Sequence, residues 1–232
     1  MRILHVSNFG GKAKGAFVHS VPPKLSRGLV RAGHSVFDFS DRDAARAGSW
    51  LGNRKLGLGA ANRALTRMAL AMRPDLLLLG HADTIRPQTL ADLRRAMPAM
   101  RVLQWNVDPL FEPDNVRRIR SKIEVVDATL VSTAGDALKA VARPRMRLGF
   151  LPNPVDFSIE SGRADLQADL PYDLFYACGD PRSPPRHLFN CDWDMDQFIT
   201  VLRSKVPEMR AKTRLEFLTP FFLLMNMGQD WD

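Results

Sequence analysis

Leu151-Pro-Asn-Pro-Val-Asp156 closes a series of alternating apolar runs and helical stripes, and that series decides the fold. Toward the N-terminus, each short apolar run has the length of a buried parallel strand. The runs lie at 3–6, 35–39, 75–80, 101–106, 127–132 and 147–151. Between them, apolar residues recur at helical spacing. Leu25, Leu29 and Ala32 mark one helix face, with Gly33 placed to end the helix. Ala61, Leu65, Met68 and Met72 share a face over 59–73. Thr89 is placed to cap a helix carrying Leu90, Leu93 and Met97. Pro113 suits a helix start, with Val116, Ile119 and Ile123 following, and a short helix is expected over 136–141. Strands alternating with helices predict an α/β fold, a Rossmann-like doubly wound parallel sheet with helices on both faces.

Toward the C-terminus the rhythm pauses. Residues 157–171 are polar, with Gly162 and several acids, and read as linker. Tyr172-Asp-Leu-Phe-Tyr-Ala-Cys-Gly-Asp180 then opens a second unit, followed by a loop with Pro181, Pro184 and Pro185 and an expected helix over 193–205. The expected organisation is an N-terminal domain at 1–155, a linker at 156–171, and an incomplete α/β domain at 172–232. That last segment is shorter than the ~100–150 residues of a usual domain. Its apolar end, with Phe217, Phe221, Phe222, Leu223 and Leu224, is expected to be poorly ordered or self-associating.

Composition narrows the class. The two cysteines, Cys178 and Cys191, lack metal-ligand spacing and read as reduced thiols of a cytoplasmic protein. The opening Met1-Arg-Ile-Leu-His-Val6 enters a strand directly and lacks the pattern of a signal peptide. No apolar stretch approaches the ~20 residues needed to span a bilayer. The net charge of +8 is uneven. Residues 1–155 hold 25 Lys/Arg against 12 Asp/Glu, and residues 156–232 hold 8 against 13. The basic half suits an anionic partner, a membrane surface such as its inner face, a phosphorylated substrate or nucleic acid, or else is a solvated arginine-rich surface.

The layout resembles a GT-B glycosyltransferase, and more narrowly the bacterial branch related to spore-maturation glycosyltransferases. The segments carrying the resemblance are Ile3-Leu-His-Val-Ser-Asn-Phe-Gly-Gly11, Leu25 to Val36, Arg73-Pro-Asp-Leu-Leu-Leu-Leu-Gly-His81, Leu151 to Asp156 and Asp173-Leu-Phe-Tyr-Ala-Cys-Gly179. The resemblance implies two facing domains, with the acceptor held by the first and a nucleotide-sugar donor by the second. It implies neither a metal nor a further cofactor, and no nucleic acid. It also implies that most of the donor side is missing from this chain. The competing expectation is a non-catalytic Rossmann-like binding module or transferase remnant.

Glycosyl transfer needs a base for the acceptor hydroxyl, positive charge or N–H donors for the departing diphosphate, and alignment of the two substrates. In open α/β sheets the crevice lies beyond the carboxyl ends of the strands. After the first strand come Asn8, Gly10 and Gly11, a candidate substrate loop or an ordinary tight turn. The loop is not G-x-G-x-x-G, and Asp38 alone is poor support for a ribose contact, which disfavours a nicotinamide-dependent enzyme. His19 and His81 are the candidate bases, or loop histidines satisfied locally. His34, on the opposite side of the sheet, reads as structural. Asn106 and Asp108 follow the fourth strand. Asp108 would orient a histidine or bind an acceptor hydroxyl, or else cap the next helix. By resemblance, Gly179, Asp180, Arg182 and Arg186 would face the donor diphosphate.

Overall fold

Side-chain alternation along the first strand sets the layers. β1 (Arg2–Ser7) sends Leu4 and Val6 to one face of the sheet and Ile3 and His5 to the other. The computed structural model describes residues 1–11, 19–110, 112–144, 146–160 and 166, with the strand backbones at 174–176 and 211–213. After β1 come α1 (Val21–Arg31), β2 (Ser35–Ser40), α2 (Asp41–Ala47), α3 (Leu58–Met72), β3 (Leu76–Gly80) and α4 (Pro87–Ala96). β4 (Arg101–Asn106), α5 (Pro113–Arg120), a 3₁₀ turn at Ile123–Val125, β5 (Ala128–Val131), α6 (Gly135–Val141) and β6 (Leu148–Phe150) complete the series. The six strands form one all-parallel sheet in the order β2-β1-β3-β4-β5-β6. The expected α/β, Rossmann-like fold is therefore present.

On one face, Leu65 and Ala69 of α3 and Leu90 and Leu93 of α4 pack on Leu4, Val6, Leu77, Leu79 and Val102. On the other, Leu25 and Leu29 of α1 cover Ile3, Leu78 and Trp105. The connection from β1 runs to β2, and the next returns past β1 to β3. The strand order therefore reverses between β1 and β3, the kind of switch point where ligands of open α/β sheets bind.

Three local features differ from the sequence expectation. α2 has no apolar stripe beyond alanines; it forms because Ala45 is buried where Gly57 lets the backbones approach. Thr89 does not cap α4. The helix starts earlier, at Pro87, and the Thr89 hydroxyl donates to Asn62 Oδ1 instead (2.8 Å). Ile123 lies in the 3₁₀ turn rather than on α5.

A buried polar chain crosses the α1 face. Trp105 Nε1–H donates to His5 Nε2 (3.1 Å), which fixes the proton of His5 on Nδ1. His5 Nδ1 then meets Ser26 Oγ at 2.8 Å, and Ser26 donates to Asp38 Oδ1 at 2.6 Å. Asp38 is thus engaged inside the unit. Burial lowers the His5 pKa to about 3, so the ring is neutral at pH 7. The unfolded chain takes up this proton near the ordinary value of 6.5 and the folded chain does not. Stability should therefore fall as pH drops from 6.5 toward 3, by about 1.4 kcal/mol per pH unit from this group. In NMR, the His5 ring signals should stay flat from pH 8 down to pH 5. A His5 midpoint near 6.5 would show that the buried chain does not form.

Asp156 of the opening motif is fully buried and anchors the segment after β6 to α1. Its carboxylate accepts from Ser158 Oγ (2.7 Å), Arg31 (3.0 Å) and Arg27 (3.3 Å). The Ser158 hydroxyl foremost, then its N–H and the two arginines, hold the Asp156 pKa at about 2. The first compact unit runs from Met1 to Ile159, so Asp156, the first residue of the expected linker, is fixed within it.

The second unit spans Glu160–Asp232. Its described strands, β7 (Leu174–Tyr176) and β8 (Ala211–Thr213), pair in parallel. β7 falls within the strand expected after 172, and β8 has no counterpart in the sequence expectation. The expected helix at 193–205 and the apolar end lie outside the described residues.

Candidate functional site

Among the described residues, the carboxyl ends of β1, β3 and β4 gather several unusual side-chain environments. Gly10 at the end of β1 has φ +59, a left-handed conformation that suits glycine. The loop is pinned to the end of β2 and to α2. Phe9 N–H donates to Ser40 Oγ (3.3 Å) and Gly11 N–H to Asp43 Oδ2 (2.8 Å). Burial pushes the Asp43 pKa up, but hydrogen bonds from Ser40, Gly11 and Arg46 outweigh it and hold the pKa below the usual value. Asn8 Oδ1 is buried and has no hydrogen-bond partner among the described residues, and His19 Nδ1 is in the same condition.

After β3 the backbone turns sharply. His81 and Ala82 have φ +55 and +37, where non-glycine residues are strained. Ala82 N–H reaches back to Gly80 O in a three-residue turn centred on His81. The turn directs the imidazole toward the loop after β4. His81 Nδ1 lies 3.4 Å from Asp108 Oδ2, and the ring meets the edge of Trp105 at a centroid distance of 6.0 Å. Burial is the largest influence on the His81 pKa and lowers it. Asp108 and Asp83 oppose that shift, and Arg118 and Arg42 reinforce it. A neutral ring with its proton on Nδ1 toward Asp108 leaves Nε2 as a proton acceptor.

Asp108 is positioned by a side-chain scaffold. Asn106 and Asn115 exchange reciprocal amide bonds of 2.6 and 3.0 Å. Asn106 Oδ1 also accepts from Asp108 N–H (2.9 Å), and Asn115 Nδ2 donates to Asp108 O (2.9 Å). The Asn106 amide is thus spent on shaping the loop. Arg118, on α5, donates to Asp108 Oδ2 at 2.8 Å. Pro113 starts α5, and the helix brings Asn115 and Arg118 back beneath the loop.

Further charges surround His81. Lys122 is buried and its ammonium reaches the His81 carbonyl at 3.4 Å. Burial lowers its pKa, while Asp83 and Asp41 pull the other way. Asp83 takes a two-pronged contact from Arg42 (3.1 and 3.2 Å) and another from Arg54 (3.4 Å). Buried Asp41 accepts from the Thr84 hydroxyl at 2.7 Å, and its other oxygen, Oδ1, has no partner among the described residues. Burial raises the Asp41 pKa.

Of the residues nominated from sequence, His81, Asp108 and Asn106 come together. Asn8, Gly10 and Gly11 lie on the same sheet edge, after β1, and His19 precedes α1. Gly179, Asp180, Arg182 and Arg186 lie outside the described residues. Arg118, Lys122 and Asp83 were not foreseen. An Arg117-Arg118 pair reads as a solvated helix face, and only the phase of α5 turns Arg118 inward. Among the described residues, no group of three or more His, Cys, Asp or Glu side chains is arranged to hold a metal. No family model matches the chain, and no curated protein matches it.

Proposed function

We propose that this chain is a GT-B-type glycosyltransferase, in which His81 takes the acceptor proton and the second unit begins the donor side. The observation that supports it most is the His81–Asp108 pair at the carboxyl edge, beside the β1/β3 switch point. The acceptor hydroxyl gives its proton to His81 Nε2 as its oxygen bonds to the anomeric carbon of the sugar. The bond from that carbon to the diphosphate oxygen breaks, and the nucleoside diphosphate leaves with the electron pair. Asp108, held by Arg118, stabilises the imidazolium that forms. Asn8 Oδ1, which has no partner among the described residues, accepts a hydrogen bond from an acceptor hydroxyl. By resemblance, the donor diphosphate meets Gly179, Asp180, Arg182 and Arg186. The acceptor is a glycan, a lipid-linked sugar or a small molecule.

A second reading, a non-catalytic binding module, is favoured by one observation. The Phe9 and Gly11 N–H groups are bonded within the unit to Ser40 and Asp43, so neither is left to meet a substrate at the first loop. Calorimetric titration of the full chain with UDP-, GDP- and ADP-sugars, with NAD as control, separates the two. The transferase reading predicts saturable binding of at least one nucleotide-sugar and none of NAD. Heat from none of the sugars would favour the binding module.

A further inference from the structure

From residue 44 to residue 74 the chain holds six Lys/Arg and no Asp or Glu. This segment contains the end of α2, the loop that follows and all of α3. The loop is two successive tight turns. Gly52 N–H donates to Ser49 O (3.0 Å), and Leu56 N–H to Asn53 O (3.2 Å), with Lys55 N–H on Asn53 Oδ1 (2.9 Å). Trp50 and Leu51 occupy the two central positions of the first turn and project outward. They are 98% and 72% exposed, and Leu56 is 67% exposed. The base of the loop is rigid. A Cβ at Gly48 would overlap Ala60, and one at Gly57 would overlap the Ala45 carbonyl. A tryptophan and two leucines are therefore held in water by a fixed backbone. After Leu56, which precedes the helix, Arg63, Arg67 and Leu70 follow at helical spacing along α3, all of them exposed. Lys55, Arg63 and Arg67 form no ion pair among the described residues.

We propose that this loop and the outward stripe of α3 dock on an anionic lipid bilayer. An exposed tryptophan beside leucines suits the headgroup boundary, where the ring is half apolar and half wetted. Unpaired cations with no acid among them match the negative potential of that surface. A nucleic acid would use the cations and stack a base on Trp50, but would leave Leu51 and Leu56 in water. The transferase reading is not needed for this inference.

The test is co-sedimentation of the full chain with vesicles of phosphatidylcholine, with and without phosphatidylglycerol. The wild type should bind the phosphatidylglycerol vesicles, and salt should release it. Trp50→Ser/Leu51→Ser should weaken binding by about tenfold or more. Lys55→Gln/Arg63→Gln/Arg67→Gln should weaken it by roughly 100-fold. Tryptophan emission should shift to the blue on binding, and Trp50→Phe should bind while losing most of that shift. All these positions are exposed, so the thermal melting curves should superimpose on that of the wild type. Failure of the wild type to bind, or binding indifferent to both multiple variants, overturns the proposal. So does a lipid-free dimer that Trp50→Ser/Leu51→Ser dissociates, or single-stranded RNA binding lost only with the cations.

Discussion

On the proposed transferase reading, replacing His81 by alanine in the full chain should lower the transfer rate by about 10²–10⁴-fold, the range a positioned general base contributes. The pH profile adds a second readout. Burial lowers the His81 pKa from its ordinary value, so the wild-type ring is neutral at pH 7 and stays so somewhat below pH 6.5. Rate should therefore persist into mildly acidic solution and fall only when the ring takes up a proton. Asp108 favours the protonated ring. Asp108→Asn should then move the acid limb further down while lowering the plateau, because the imidazole loses its orienting partner. A role confined to packing would not move the acid limb. Strain can be separated from chemistry at the same position. At φ +55, His81→Gly should be more stable than His81→Ala by about 1 kcal/mol, although both lack the base. Urea midpoints of the two variants measure that difference.

Gly80→Ala should be strongly damaging to the first unit, costing about 2–4 kcal/mol. A Cβ at Gly80 would overlap the Trp105 ring and sit 2.8 Å from Ser7 Oγ. Ser7 Oγ already donates to the Gly80 carbonyl at 3.0 Å, so it cannot easily withdraw. Trp105 is 2% exposed, and moving it would break its bond to His5 in the buried chain. The same displacement would disturb the ring edge against His81. Gly28→Ala is the matched control. It sits in α1 with no atom within 4 Å of the added Cβ, and alanine favours helix there. Denaturant unfolding should show a large loss for Gly80→Ala and none for Gly28→Ala. Equal midpoints would mean that Trp105 is not packed against Gly80 as described.

Much of the sheet was legible because its strands are continuous apolar runs and its longer helices carry apolar stripes. β4 falls on 101–106 as expected, and Pro113 opens α5. α2 was not legible, because alanines give no stripe and its burial depends on Gly57, distant in sequence. Strand order was not legible either, since periodicity marks a strand without naming its neighbour. His81 and Asp108 were nominated because strand ends are where such sheets expose side chains. Their scaffold was not. The Asn106–Asn115 exchange, the inward turn of Arg118 and the burial of Lys122 follow from how α5 and its C-terminal turn pack back on the strand ends. Gly11 shows the converse limit. Its glycine suggested a backbone open to a ligand, and its N–H instead holds Asp43.

The most direct measurement is the release of nucleoside diphosphate from a panel of UDP-, GDP- and ADP-sugars, followed by mass spectrometry, with the wild-type chain and His81→Ala side by side. The predicted result is release from at least one donor by the wild type and loss of that release in the variant. Release at the same rate by both chains, or by neither, would contradict the account.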